Sequence, residues 1–219
     1  MNLFVRPLSR SIARRRSTHG LFCLALVAAV LALPARQAPA AIDVDPNAPR
    51  ADMWRKLAAG IPERWRSRQE IVVHEITGSS LESLVRTLGT VDDQGAEDPS
   101  SVDGCYQSAH GDQPATITLR SDMPRSEATF VFTHEYGHFV WEKELSEDQR
   151  AHYRRIWHAQ RAAGHLVSDY AASEDEEGFA EAFAHYLRSP AKLKRRDARS
   201  WRFLVECSKQ PASGIRGPQ

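Results

Sequence analysis

The stretch FVFTHEYGHFVW, residues 130–141, sets two histidines four positions apart with a glutamate directly after the first. Apart from Thr133 and Gly137, the remaining residues are aromatic or apolar. On a helical wheel centred on His134, Phe130, Val131, His138 and Trp141 fall on its side, while Phe132, Phe139 and Val140 fall elsewhere. A helix that is apolar all round belongs in a core. His134, Glu135 and His138 would then each cost roughly a few kcal/mol if left unpartnered, and an ionised carboxylate more. The two imidazoles lie one turn apart on one face, and Glu135 is rotated about 100° from His134. That is the H-E-x-x-H spacing, in which two neutral imidazoles take Zn²⁺ and the carboxylate handles the proton of a water. A chain of this composition is expected to contain roughly 0.03 such spacings by accident. A shared metal is therefore a better reading than two separately satisfied core histidines. Gly137 adds that another element comes close to this helix.

A zinc site of this kind needs a third protein ligand. One common extension places a glycine three residues and a histidine six residues after the second His; here Trp141 and Glu144 stand there. Without the glycine the helix continues, and Glu144 points about 120° away from His138. A glutamate from a later helix remains. Glu174, Asp175 and Glu176 fall in the first turn of EDEEGFAEAFAHYLR, where acids suit the positive helix end. Glu177 and Glu181 share a face at i and i+4 among otherwise apolar residues. Glu177 is the expected ligand, and Glu181 is placed to accept the free N–H of a ligand histidine.

HEYGH, followed some forty residues later by DYAASEDEEGFAEAF, resembles the catalytic domain of anthrax toxin lethal factor and the secreted Pro-Pro endopeptidases that share it. That family's pattern is H-E-[FY]-G-H, then a tyrosine, a glutamate seven residues on, and F-A-E. The resemblance covers about 55 residues, from Phe130 to Tyr186. It implies a zincin-like fold and a zinc metalloendopeptidase of the gluzincin type. His134, His138 and Glu177 would be the ligands, Glu135 the general base, and Glu181 a support behind the ligands. Tyr170, seven residues before Glu177, would be the phenol that stabilises the oxyanion. The first 90 residues after the leader carry no part of this pattern.

The first 40 residues hold six arginines and no acid, an apolar run from Leu21 to Leu33, and Ala38-Pro39-Ala40. This is the order of a secretory signal peptide, and the run is shorter than the roughly 20 residues of a membrane span. The expected organisation is a signal peptide over 1–40 and one zinc peptidase domain over 41–219. The product would be secreted or periplasmic, with no stable membrane anchor. Removal of the leader leaves 23 basic against 28 acidic residues, a balance unlike that of a nucleic-acid binder. Two cysteines remain, Cys105 and Cys207, which an oxidising compartment would pair as a disulfide.

Helix character is expected near Met53–Ala59 and over 80–89, and strands over EIVVHEI (70–76) and ATITLR (115–120). DDQGAEDPSSVDG (92–104) reads as a loop and Asp43–Arg50 as a polar lead-in. Helices follow from Ser121 to Glu144, and from a Ser146/Gln149 capping box to about Gly164. Another runs from a Ser173/Glu176 box to Pro190, with a basic amphipathic segment after it and a loose tail from Lys209. Few strands followed by successive helices make the class α+β, a small mixed sheet packed on the histidine-bearing helix and further helices. If ATITLR lies at the sheet edge, it would bind an extended peptide by adding a strand. The partner expected is a peptide or protein substrate, met by a monomer. The rival readings are a zinc-containing binding protein without catalysis, and a metal-dependent amidase acting on cell-wall peptides.

Overall fold

Four short strands build one mixed sheet: β1 (Ile42–Val44), β2 (Ile71–Ile76), β3 (Gly104–Gln107) and β4 (Ala115–Arg120), in the order β1-β2-β4-β3. A computed structural model describes residues 42–67, 69–88 and 102–210. The expected signal peptide, most of the 92–104 loop and the tail beyond Gln210 lie outside these residues. β1, β2 and β4 run parallel, and β3 pairs antiparallel with β4, Tyr106 opposite Ile117. β4 is therefore an inner strand and not the edge; the edge on that side is β3. GCYQ is too short to show an alternation in sequence. Its pairing rests on burial from both sides: Tyr106 turns into the main core, and Cys105 joins Leu81, Val85 and Val102 beneath α2 (Gly78–Leu88).

The main core lies on the other face, where Ile71, Val73, Ala115, Ile117 and Leu119 meet α1 (Ala51–Ala59) and α3 (Arg125–Phe139). A buried polar clasp ties these layers. The Glu75 carboxylate accepts from the Arg50 amide (2.8 Å) and from Trp54 Nε1 (3.0 Å), and pairs with the Arg50 guanidinium. That guanidinium also donates to the Met123 and Arg120 carbonyls, at 2.8 and 2.7 Å. Every partner is satisfied, so the charge is tolerated inside.

As the all-round apolar pattern requires, eleven of the 15 residues of α3 are buried. The helix passes into a π-helical turn at Val140–Glu144 and stops at Leu145. The capping box of Ser146 and Gln149 opens α4 (Glu147–Ala162) with both reciprocal hydrogen bonds made. A 3₁₀ turn at Tyr170–Ala172 leads to α5 (Asp175–Arg188). The second expected box is absent: Ser173 Oγ donates to the Tyr170 carbonyl, Glu174 takes the cap position, and Glu176 is engaged elsewhere. The basic C-terminal segment divides at Asp197 into α6 (Pro190–Arg196) and α7 (Ala198–Lys209). Among the described residues no helix is long and apolar enough to cross a membrane.

α3 and α5 pack antiparallel, so that His138 meets Glu177, His134 meets Glu181, and Phe130 meets His185. The approach is close because Gly137 carries no side chain; a Cβ there would stand 2.8 Å from Ala180 Cα. Gly137→Ala must push the two backbones apart and is expected to cost about 1–3 kcal/mol, the usual range for overpacking. Thermal melts should show the loss, and metal titration should show weaker binding, because the same contact sets the spacing of Glu177 from the histidines. Unchanged values in both would disprove the register role given to Gly137.

Cys105 and Cys207 do not form the expected bridge. Both are buried free thiols in different hydrophobic clusters, one under α2 and the other on α7 against the main core. Burial pushes both thiols up, Cys207 to about 11, so neither is a ready thiolate at neutral pH.

Candidate metal centre

His134 and His138 project from successive turns of α3 toward Glu177 on α5, and all three are buried. Nε2 of His134 lies 3.2 Å from Nε2 of His138, and Glu177 Oε2 lies 3.1 and 3.4 Å from these two nitrogens. Donor atoms on a tetrahedral ion with bonds of about 2.0–2.1 Å stand roughly 3.3 Å apart. The triangle has those edges, and the three residues could hold a metal ion.

The far side of each imidazole is held by a carboxylate. Nδ1 of His134 donates to Glu181 Oε1 at 3.2 Å, and Ser168 Oγ donates to the other oxygen of Glu181 at 2.6 Å. Nδ1 of His138 donates to Glu176 Oε1 at 3.1 Å. Both rings thereby turn Nε2 inward, the orientation a ligand needs. Glu181 stands where the face-sharing argument puts it. In sequence Glu176 has a local explanation as an acid in a first helical turn; only the antiparallel approach of α3 brings His138 to it. Glu176→Ala should lower metal affinity about 10–100-fold, and Glu176→Gln, which keeps an acceptor oxygen, should recover part of that. Competition with a chromophoric chelator reads both. Wild-type affinity in the alanine variant would reduce Glu176 to a helix-end charge.

Electrostatics match the geometry. Burial opposes charge on His134, but Glu177 and Glu181 outweigh it and raise the imidazole to about 9. His138 is also raised: burial is outweighed chiefly by Glu177 and Glu176. Burial alone would raise Glu177, yet the two histidines bring it down to about 2. In the metal-free protein the cluster is thus two imidazoles inclined to hold protons around an ionised carboxylate.

Glu135 differs from the other acids among the described residues. It is fully buried, and neither carboxylate oxygen is in a hydrogen bond of good geometry; the Tyr106 amide of β3 favours its charge only weakly. Burial raises it to about 7, against the pull of His134 and His138. β3 passes directly over it at Gly104, where a Cβ would stand 2.6 Å from Val131 Cγ1 and 2.9 Å from Glu135 Oε1. The next residues lock the strand in place. Tyr106 stacks parallel to the His138 ring at 6.4 Å, and its hydroxyl donates to Glu142 Oε2 at 2.7 Å, an oxygen that also accepts from Ser108 Oγ. No spacing in the sequence pointed to Gly104 or Tyr106.

Tyr170, on the 3₁₀ turn, is half-buried with its ring 5.9 Å from that of His134. The turn is fixed by Trp157 Nε1 donating to the Ala171 carbonyl (2.7 Å) and by the Ala171 amide donating to Ser168 Oγ (3.1 Å). Ser168 therefore joins the Tyr170 turn to Glu181, and through it to His134. Glu144 is not part of the centre; it faces Arg64 at 3.9 Å. Compared with models of known protein families and with curated proteins, the chain matches none.

Proposed function

We propose that this protein is a zinc-dependent endopeptidase with a zincin-like fold, of the kind its HEYGH and EGFAEAF segments resemble. The observation that carries the reading is the unpartnered, buried Glu135 beside a closed triangle of two imidazole nitrogens and a carboxylate oxygen. A donor set of two histidines and one glutamate suits zinc and leaves a position open. Zinc held there would supply Lewis acidity toward a scissile carbonyl and acidify a water.

The chain's own groups would do the rest. Glu135, buried beside the triangle, would take a proton from the attacking water and return it to the leaving amine. The Tyr170 phenol would donate to the developing oxyanion. Glu181 and Glu176 would hold the imidazoles in their tautomers, and the closed packing around Glu135 would keep bulk water from competing. A zinc protein without catalysis has no use for an unpaired buried carboxylate, which costs stability. β3 favours an extended peptide over a small amide: it is the sheet edge, it crosses the site at Gly104, and an edge strand pairs with an extended chain.

Digestion of a diverse peptide library, with and without a chelator, tests the reading. Chelator-sensitive internal cleavage that returns with zinc is the expected result. Absence of cleavage by zinc-loaded protein across the library would sink the endopeptidase assignment, and release only from cell-wall peptides would move it to the amidase.

A further inference from the structure

Charge in this chain is segregated. Residues 188–209 contain eight lysines and arginines against two acids, whereas 41–187 contain 14 against 26. Of the two acids, Asp197 is buried as the N-cap of α7, accepting from the Ser200 amide and from Gln160 Nε2. Lys192, Lys194, Arg195, Arg196, Arg199 and Arg202 are all exposed, and none forms an ion pair with an acid among the described residues.

Local energetics do not account for this placement. The carbonyl end of α6 suits Lys194, Arg195 and Arg196. Arg199 and Arg202, however, stand in the first two turns of α7, the end that disfavours cations, and that helix has no acid in its first turn. Lys192 and Arg196 are like charges at i, i+4, which destabilise a helix. α6 itself buries one residue, Leu193, and presents the rest to solvent. Within the fold these cations gain little: Lys192 reaches His185 Nε2 at 3.2 Å, Lys194 lies over the Trp201 ring and Arg202 donates to the Ala198 carbonyl of its own helix, while Arg195, Arg196 and Arg199 make no such contact among the described residues.

We propose that the α6–α7 corner is a docking face for an anionic lipid bilayer, bound through the phosphates of acidic headgroups. Its cations are all exposed and spread over two consecutive helices, which suits a broad charged surface more than a single small anion. Trp201, half-buried with Lys194 Nζ 4.7 Å from its ring centroid, is the aromatic and cationic pair that sits at headgroup level. The large apolar residues of α7, Phe203 and Leu204, are committed to the core, so attachment is peripheral and electrostatic and not an insertion. Among the described residues of α6 and α7 Trp201 is the one aromatic ring that reaches the surface, too few for the successive stacking by which single-stranded nucleic acid is held.

The experiment uses residues 41–219, which contain every described element and omit the arginine-rich leader. Co-sedimentation is measured with vesicles of phosphatidylcholine alone, and with one third phosphatidylglycerol, at low and at high salt. Binding is expected to the anionic vesicles only, and to vanish at high salt. Each cation near such a surface is worth about fivefold in partition. Lys194→Gln, Arg195→Gln, Arg196→Gln and Arg199→Gln combined should lower it at least about 100-fold, with the fold retained and a melting temperature close to wild type, because the loss of favoured charges at the end of α6 is offset by relief of the Lys192–Arg196 repulsion and of Arg199 at the start of α7. Arg55→Gln, Lys56→Gln, Arg86→Gln and Arg125→Gln combined remove the same charge elsewhere and should leave partition within about threefold of wild type. Equal binding to neutral vesicles, an equal loss in both quadruple variants, or tighter binding to duplex DNA than to anionic vesicles at matched salt would each overturn the proposal. Vesicle binding is read without cleavage, so the result is independent of the peptidase reading.

Discussion

Glu135→Gln is expected to fold, to bind metal as the wild type does, and to cleave peptide substrate below detection. The carboxylate is not one of the three grouped donors and makes no hydrogen bond to them, so its loss should leave the metal in place. Gln is nearly isosteric and cannot accept a proton at neutral pH. It also removes a buried charge that lacks a hydrogen-bond partner, so the melting temperature should hold or rise. Higher stability with lost activity is the signature of a strained functional group, and a structural role would predict the reverse. Tyr170→Phe serves as the graded companion. Removing one oxyanion donor typically costs about 10²–10³ in kcat, with KM little changed. Wild-type cleavage by Glu135→Gln would refute the proton transfer. Full activity in Tyr170→Phe beside a dead Glu135→Gln would leave the zinc peptidase standing and remove Tyr170 from it.

Glu177→Ala should lower zinc affinity by more than the roughly 100-fold that marks the upper range for a supporting carboxylate. Its test has a proton counterpart. Ionised Glu177 contributes stability to the metal-free protein that is present above its ordinary pKa of 4.5 and lost as pH falls through about 2. His134, raised from 6.5 to about 9, contributes stability present below 6.5 and lost as pH rises through about 9. At pH 7 a zinc ion must therefore displace protons from the imidazoles, and affinity should rise with pH by up to about tenfold per unit for each proton released. Calorimetry in buffers of different ionisation heat counts them. Glu177→Ala should release fewer, because the carboxylate that holds those protons is gone. Full zinc content in Glu177→Ala would move the third ligand elsewhere.

Much of the centre was legible because helical spacing converts directly into shared faces. HEYGH in an apolar segment places two imidazoles one turn apart in a core. GFAEAF does the same for Glu177 and Glu181. The Ser146/Gln149 box was equally local, since its hydrogen bonds close within one turn. The errors fell where a local rule met a competing long-range partner. Glu176 fitted a capping box with Ser173 but binds His138, across 38 positions of sequence. Cys105 and Cys207 suited a bridge by compartment and number, yet their helices and strands put them in different clusters. ATITLR alternates as a half-buried strand does, a pattern that leaves its place in the sheet open, and it lies inside because GCYQ pairs along its far side.

By itself the sequence determined that a buried helix carries His134 and His138 one turn apart with Glu135 beside them, and that Glu177 and Glu181 come from one face of a second helix. Period and burial suffice for that, because 3.6 residues per turn leaves a side chain little choice of direction. The tertiary structure alone decided the antiparallel register of α3 on α5, set by the contact of Gly137 with Ala180. It decided that Glu176 steadies His138, that β3 forms the edge above Glu135, and that the two cysteines stay apart. These depend on contacts between segments distant along the chain, whose energies come from packing density and from satisfying buried polar groups. Neither has a period that a sequence can display.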